Sequence, residues 1–154
     1  MNGYYDNVAT LSEFERAAIN AMPDTSTGLQ SELSIHTPEG GGVRLEELVT
    51  LPAINARGIV AGGVGLQGRN IILPSATVSL NLRMVPNQNP TRLRQLIEDH
   101  VEREGFYIVH DDPTEGQLRN NEKVAKLDWR GAGNAGLRTP MDSPIAPVSY
   151  THLT

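Results

Sequence analysis

Arg57–Pro90 reads RGIVAGGVGLQGRNIILPSATVSLNLRMVPNQNP, and the order of its pieces decides the fold. A strand enters over Ala53–Val60, with Gly58 inside it. Gly62, Gly63, Gly65 and Gly68 follow as a turn that permits positive φ. Val78, Leu80, Leu82 and Met84 then alternate with Thr77, Ser79, Asn81 and Arg83. This period of two marks a strand with one buried and one wet face. Asn89-Pro90 supplies a helix cap followed by proline at the first helical position. Leu93, Leu96, Ile97 and Val101 form the buried stripe, Gly105 stops the helix, and Phe106–Val109 is a strand. The core is therefore strand–strand–helix–strand. It is α+β, with the first two strands joined as a hairpin.

The same order disposes of a phosphate loop. Gly63-Val-Gly65-Leu-Gln-Gly68 is a GxGxxG string after a strand. A dinucleotide fold needs a helix next, because the helix N-terminus holds the pyrophosphate. Here a β pattern runs from Ile71 to Val85, and helix begins only at Pro90. The glycines read as a turn between strands.

Outward from the hairpin, Thr10-Leu-Ser-Glu13 has capping-box spacing, and Phe14, Ala17, Ala18 and Ala21 follow at helical intervals before Pro23. Asp24–Gly42 reads as a loop with one helical turn at Leu29–Leu33. Val43–Thr50 is a short amphipathic helix, with Leu45, Leu48 and Val49 inward and Glu46 and Glu47 in water. His110-Asp-Asp-Pro113 marks a chain leaving a strand for solvent. Val148–Thr154, VSYTHLT, is what one frame of the sequencing-library adapter CTGTCTCTTATACACATCTGACGC encodes. It reads as adapter rather than protein, so Tyr150 and His152 enter no site.

Composition narrows the chemistry. A net charge of −5 and a pI near 5.3 lack the basic footprint of a nucleic-acid binder. No apolar run approaches the roughly 20 residues of a membrane helix, and MNGYYDNVAT is not a secretory signal. The absence of cysteine excludes disulfides and thiolate-bound zinc, and suits a reducing cytoplasm. His36 and His100 are isolated, and no histidine pair has ligand spacing. No Ser/His/Asp or Cys/His set occurs. The sequence offers neither a catalytic residue nor a metal ligand of its own.

Asn70-Ile-Ile-Leu-Pro74 and Ala76-Thr-Val-Ser-Leu-Asn-Leu-Arg83-Met-Val-Pro-Asn-Gln88 resemble the lid segment of the zinc exopeptidases of metallopeptidase family 20. These comprise carnosinase-like dipeptidases, aminoacylases, carboxypeptidases and desuccinylases. Gly3-Tyr-Tyr-Asp-Asn-Val8 is similar to a segment of the dipeptidase branch, and Arg138-Thr-Pro-Met-Asp142 to the return towards the catalytic domain. The resemblance covers nearly all of Met1–Pro147. It implies a ferredoxin-like lid, βαββαβ, with two lids paired edge to edge in a homodimer. Each would reach over a site of two zinc ions and hold a peptide or N-acyl amino acid. By motif position, Arg83 and Asn70 would bind substrate, although Pro74 stands one place later than the pattern has it.

The resemblance also implies what should lie elsewhere. The family's metal ligands, and the lid's first strand and helix, have no counterpart here and would fall before Met1 or after Pro147. The expected organisation is a dipeptidase-type insertion over residues 1–50, a lid and dimerisation core over 51–114, a return towards the catalytic domain over 115–147, and adapter over 148–154. An incomplete ferredoxin-like lid of this kind should fold poorly alone and hydrolyse nothing. The alternative is a stand-alone, non-catalytic ferredoxin-like module dimerising through Ala53–Val60.

Overall fold

The computed structural model describes residues 1–131, 133–134, 136–140 and 143–144. In chain order they form α1 (Glu13–Ala21), α2 (Ser26–Leu33), α3 (Leu45–Leu48), β1 (Ala53–Val60) and β2 (Thr77–Arg83). These are followed by α4 (Pro90–Arg103), β3 (Tyr107–Val109), α5 (Glu115–Asn120) and β4 (Val124–Lys126). The strand–strand–helix–strand series β1–β2–α4–β3 is that of an incomplete ferredoxin-like lid. The adapter-like tail lies outside the described residues.

β1 and β2 pair antiparallel, from Ala53 opposite Arg83 to Val60 opposite Thr77. The register slips between Ala56 and Gly58, leaving Arg57 as an extra residue in β1. This bulge sets the side-chain phase. Ile54, Ala56 and Ile59 stand opposite Leu82, Leu80 and Val78, so all share one face despite the odd step from 56 to 59. Without the bulge Ile59 would fall on the polar side. That polar side carries Arg83, Asn81, Ser79 and Thr77.

Only the base of the apolar face is packed. Leu82 and Met84 lie against a cluster of Tyr4, Leu93 and Ile97, joined by Val101 and Trp129. Leu93 is 4% exposed, whereas Leu80 is 46%, Val78 51% and Ile59 70% exposed. β2 ends at Arg83 rather than continuing to Val85, because the chain turns there. The Gln88 amide donates to the Val85 carbonyl at 3.2 Å across Pro86 and Asn87, and Asn87 has φ +69°. Proline then a positive-φ asparagine is the type II pattern. The Gln88 side chain accepts from the Val85 amide at 3.2 Å and donates to the Tyr4 carbonyl at 3.0 Å. It thereby fastens the N-terminal segment to the strand end.

Asn89 caps α4 as expected, accepting from the Thr91 and Arg92 amides at 2.8 and 3.2 Å. Gly105, with φ +86°, lets the chain leave the helix. β3 pairs in parallel with β4, Tyr107 opposite Val124, and makes no ladder with the hairpin. β4 and α5 are additions to the sequence reading. α5 begins at a capping box of Thr114 and Gln117.

The N-terminal third departs from expectation in detail. α1 is capped by Ser12 rather than Thr10: its hydroxyl accepts from the Glu15 amide, and the Glu15 carboxylate takes the Ser12 amide. The buried face then carries Glu15 and Ile19, while Phe14 is exposed. α2 is longer than one turn and α3 shorter than Val43–Thr50, with Val49 exposed. Asn70–Pro74 is irregular, so β2 starts at Thr77 rather than Ile71.

The uneven cover makes the two ends of the hairpin respond differently to truncation. Leu93→Ala should cost about 2–5 kcal/mol, the usual range for a buried leucine. Leu80→Ala should cost less than about 1 kcal/mol, as at a weakly packed surface position. Urea denaturation of both variants measures the difference. Equal losses would mean that the hairpin face is covered in solution.

Candidate functional site

Arg83 closes β2 on the open polar face, opposite the small Ala53. It is exposed, and its guanidinium has neither a hydrogen bond nor an ion pair among the described residues. A guanidinium on a rigid strand with free donors can grip a carboxylate through two parallel hydrogen bonds. The neighbouring rung of the same face is Asn81 opposite Asn55.

Asn70 lies elsewhere. It follows the short 3-10 turn Gly65–Gln67 in the loop that joins the strands, and is also exposed with no side-chain bond. That loop meets the strands at the Val60–Thr77 rung. Six residue steps along β2, from Thr77 to Arg83, separate this rung from the last, about 20 Å at roughly 3.3 Å per residue. The hairpin therefore holds Arg83 at its base and Asn70 beyond its tip. The sequence named both residues, but the fold does not set them side by side.

A strap of chain secures the base where Arg83 sits. The Trp129 indole donates to Glu98 at 3.0 Å, and the Arg94 guanidinium lies 5.4 Å from the indole ring centre. Arg94 also donates to the Gly131 carbonyl. Gly136 then crosses the backbone of Met84 and Val85 so closely that a Cβ would lie 2.6 Å from Val85 Cα. Beyond it, Arg138 stands 3.3 Å from the Glu15 carboxylate and donates to the Thr10 carbonyl at 3.5 Å. The strap thus runs from α4, over the exit of β2, to α1. The sequence placed these residues in a return towards the catalytic domain and gave them no part in holding the hairpin. The strap's signal was the pair of glycines, Gly133 and Gly136, which no strand or helix pattern required.

Glu15 is buried under this latch. The hydrogen bond from the Ser12 amide holds its carboxyl below the usual value, with the Ser12 hydroxyl and the Arg138 charge adding to it against burial. Because the folded value is the lower one, the latch contributes stability above the unfolded glutamate range. That contribution is lost as pH falls through the folded value.

Several other acidic groups are engaged in ordinary ways. Glu47 pairs with Arg16 at 2.8 Å, and Glu46 accepts from Thr25 and pairs with Arg44. Asp112 pairs with Lys126 at 2.7 Å, and the His110 ring meets the Leu127 carbonyl. Among the described residues, no three His, Cys, Asp or Glu side chains are grouped to hold a metal ion. No helix among them is long and apolar enough to cross a membrane.

A hairpin with one polar, cation-bearing face, backed by a helix and strapped at its base, is the framework of a capping lid. The sequence profile of the peptidase dimerisation domain of the M20 peptidases matches residues 12–107. The chain belongs to that family. Among solved structures it is similar to the M20 family metallo-carboxypeptidase Sso-CP2 from Sulfolobus solfataricus, with 27% identity and a TM-score of 0.56. The match covers 68% of this chain and 28% of the carboxypeptidase chain, so the present chain spans well under two thirds of that enzyme's length. No curated protein matches.

Two outcomes test the strap. Gly136→Ala should destabilise the protein by about 1–3 kcal/mol, as overpacking against backbone does; thermal unfolding reads it. Lowering the pH below about 4, near the unfolded glutamate value, should release α1 from the strap. Hydrogen exchange along Glu13–Ala21 would follow the release, and Glu15→Gln should remove this part of the acid response.

Proposed function

We propose that this chain is the substrate-capping and dimerisation segment of a zinc-dependent, dipeptidase-like exopeptidase. The complete enzyme acts as a homodimer on peptides or N-acyl amino acids. The observation that carries this reading is Arg83: an exposed, unpartnered guanidinium fixed at a strand end, in a chain of the peptidase dimerisation family. It receives the substrate's terminal carboxylate, while the strap over Met84 and Val85 keeps the strand end in place.

The described residues do not fit zinc. The ions belong on residues outside this set, and this chain's own work is to bind, orient and shield substrate. Asn70, in the loop beyond the Val60–Thr77 rung, serves a different group from the one on Arg83. Dimerisation is supported by the sheet itself. β1 pairs with β2 alone, so its outer edge is free among the described residues to add a strand from a second lid.

Substitution of Arg83 in the complete enzyme is the direct test. Charged hydrogen bonds contribute roughly 1.5–3 kcal/mol, so Arg83→Ala should lower kcat/KM about 10- to 150-fold at 1.4 kcal/mol per tenfold. Arg83→Lys should recover only part, because a lysine cannot make the paired contact. An unchanged kcat/KM in Arg83→Ala would show an arginine that merely faces water.

A further inference from the structure

We infer that Asn55 and Asn81 form a second recognition rung beside Arg83, reading the amide group that neighbours a carboxylate. The inference rests on the capping reading above and extends it to specificity. Asn55 stands opposite Asn81, one same-face step from the Ala53–Arg83 rung. At strand dimensions the two asparagine Cβ atoms are about 5 Å apart. The step to Arg83 along β2 is about 6.6 Å, within the reach of a long arginine side chain. Both asparagines are exposed, and neither side chain makes a hydrogen bond among the described residues.

Three further observations point the same way. Asparagine is disfavoured in strands, yet two face each other inside this pair, on the third rung from its base, where β-branched residues would stabilise the ladder better. An asparagine pair presents both N–H donors and C=O acceptors, the complement of a peptide group. The packing of Leu82 and Met84 places the core on the opposite face, leaving this one open.

Charge selects what arrives there. Leu51–Ile97 contains none of the chain's 18 acidic residues and five of its 13 basic ones. The ten basic side chains off the loop and strands of the hairpin all have a partner in an ion pair, a hydrogen bond or a ring contact. Arg57, Arg69 and Arg83 have none among the described residues. Within a chain of net charge −5 the hairpin is a cationic island with no internal competitor, suited to drawing in an anion. A carboxylate on Arg83 with its amide over the asparagines satisfies both rungs. A simple carboxylate satisfies one.

The test is an NMR titration of the ¹⁵N-labelled, metal-free complete enzyme that carries this segment, with N-acetylglycine, acetate and N-acetylglycinamide. N-acetylglycine should shift the Arg83 Nε–H and the Asn55 and Asn81 side-chain amides along one saturable curve. Acetate should shift Arg83 alone and bind several-fold more weakly, and the uncharged amide should bind more weakly still. In Asn81→Ala, N-acetylglycine should bind no better than acetate. Asn81→Thr, a better strand former, should lose the same preference with the hairpin intact. If Arg83 responds while the asparagine amides do not, or if both variants keep the preference, the second rung is refuted and the capping reading stands. If Arg83 responds to none of the three, the capping reading fails and the second rung with it.

Discussion

The contact on which the rest depends is the seating of Leu82 and Met84 against Leu93 and Ile97. Among the described residues it seats the hairpin's base on the helix that follows it. Burying a side chain of this kind contributes about 1.5–3 kcal/mol, and few residues share the task. Tyr4 completes the cluster, but its hydroxyl is buried with no partner, which gives back about 1–3 kcal/mol. So small a core fixes the base of the hairpin firmly and leaves its tip to itself. Arg83 lies at the firm end, one residue beyond Leu82.

That placement explains why the strap matters beyond packing. The backbone of Met84 and Val85 is held from one side by the Gln88 turn and from the other by Gly136. A side chain at 136 would separate the two. The close approach therefore limits the freedom of the strand end, and with it the position from which the Arg83 side chain starts. Binding groups placed on rigid elements orient more accurately than those on loops. Asn70 belongs to the second kind, on an exposed loop with no side-chain contact.

Much of this architecture was legible in the sequence, where local rules and tertiary packing agree. The alternation over Thr77–Arg83 and the Asn89-Pro90 start of α4 follow from period two and from cap chemistry, and appear where those rules place them. The α1 cap was ambiguous, since Thr10–Glu13 and Ser12–Glu15 both have capping-box spacing. The latch between Arg138 and Glu15, remote in sequence, accompanies the second. β4 is three residues long and its partner is β3, so no periodicity could reveal it. The bulge left one trace, the odd step from Ala56 to Ile59 around Gly58. The separation of Asn70 from Arg83 was open to simple measurement along the strand, but motif position says nothing of distance. Arg83 itself was found by motif and alternation together. The Asn55–Asn81 rung needed the register, which depends on the bulge.

The bulge therefore links fold to recognition. One extra residue in β1 keeps Ile54, Ala56 and Ile59 on the same side as Leu82, Leu80 and Val78, so the β2 side chains Arg83, Asn81, Ser79 and Thr77 share the other. The same segment excludes acidic residues, while most cations of the framework around it pair with acidic side chains. Most of those surface pairs contribute little to stability. Their effect is to occupy most framework cations, so that among the described residues the guanidinium groups without a partner, those of Arg57, Arg69 and Arg83, all lie on the hairpin. Phase and charge are thus two separate requirements met by one stretch of chain, and each constrains what can be changed there. A substitution that restored an unbulged strand would turn Ile59 into the polar face, and an acidic residue near Arg83 would occupy the guanidinium before any substrate did.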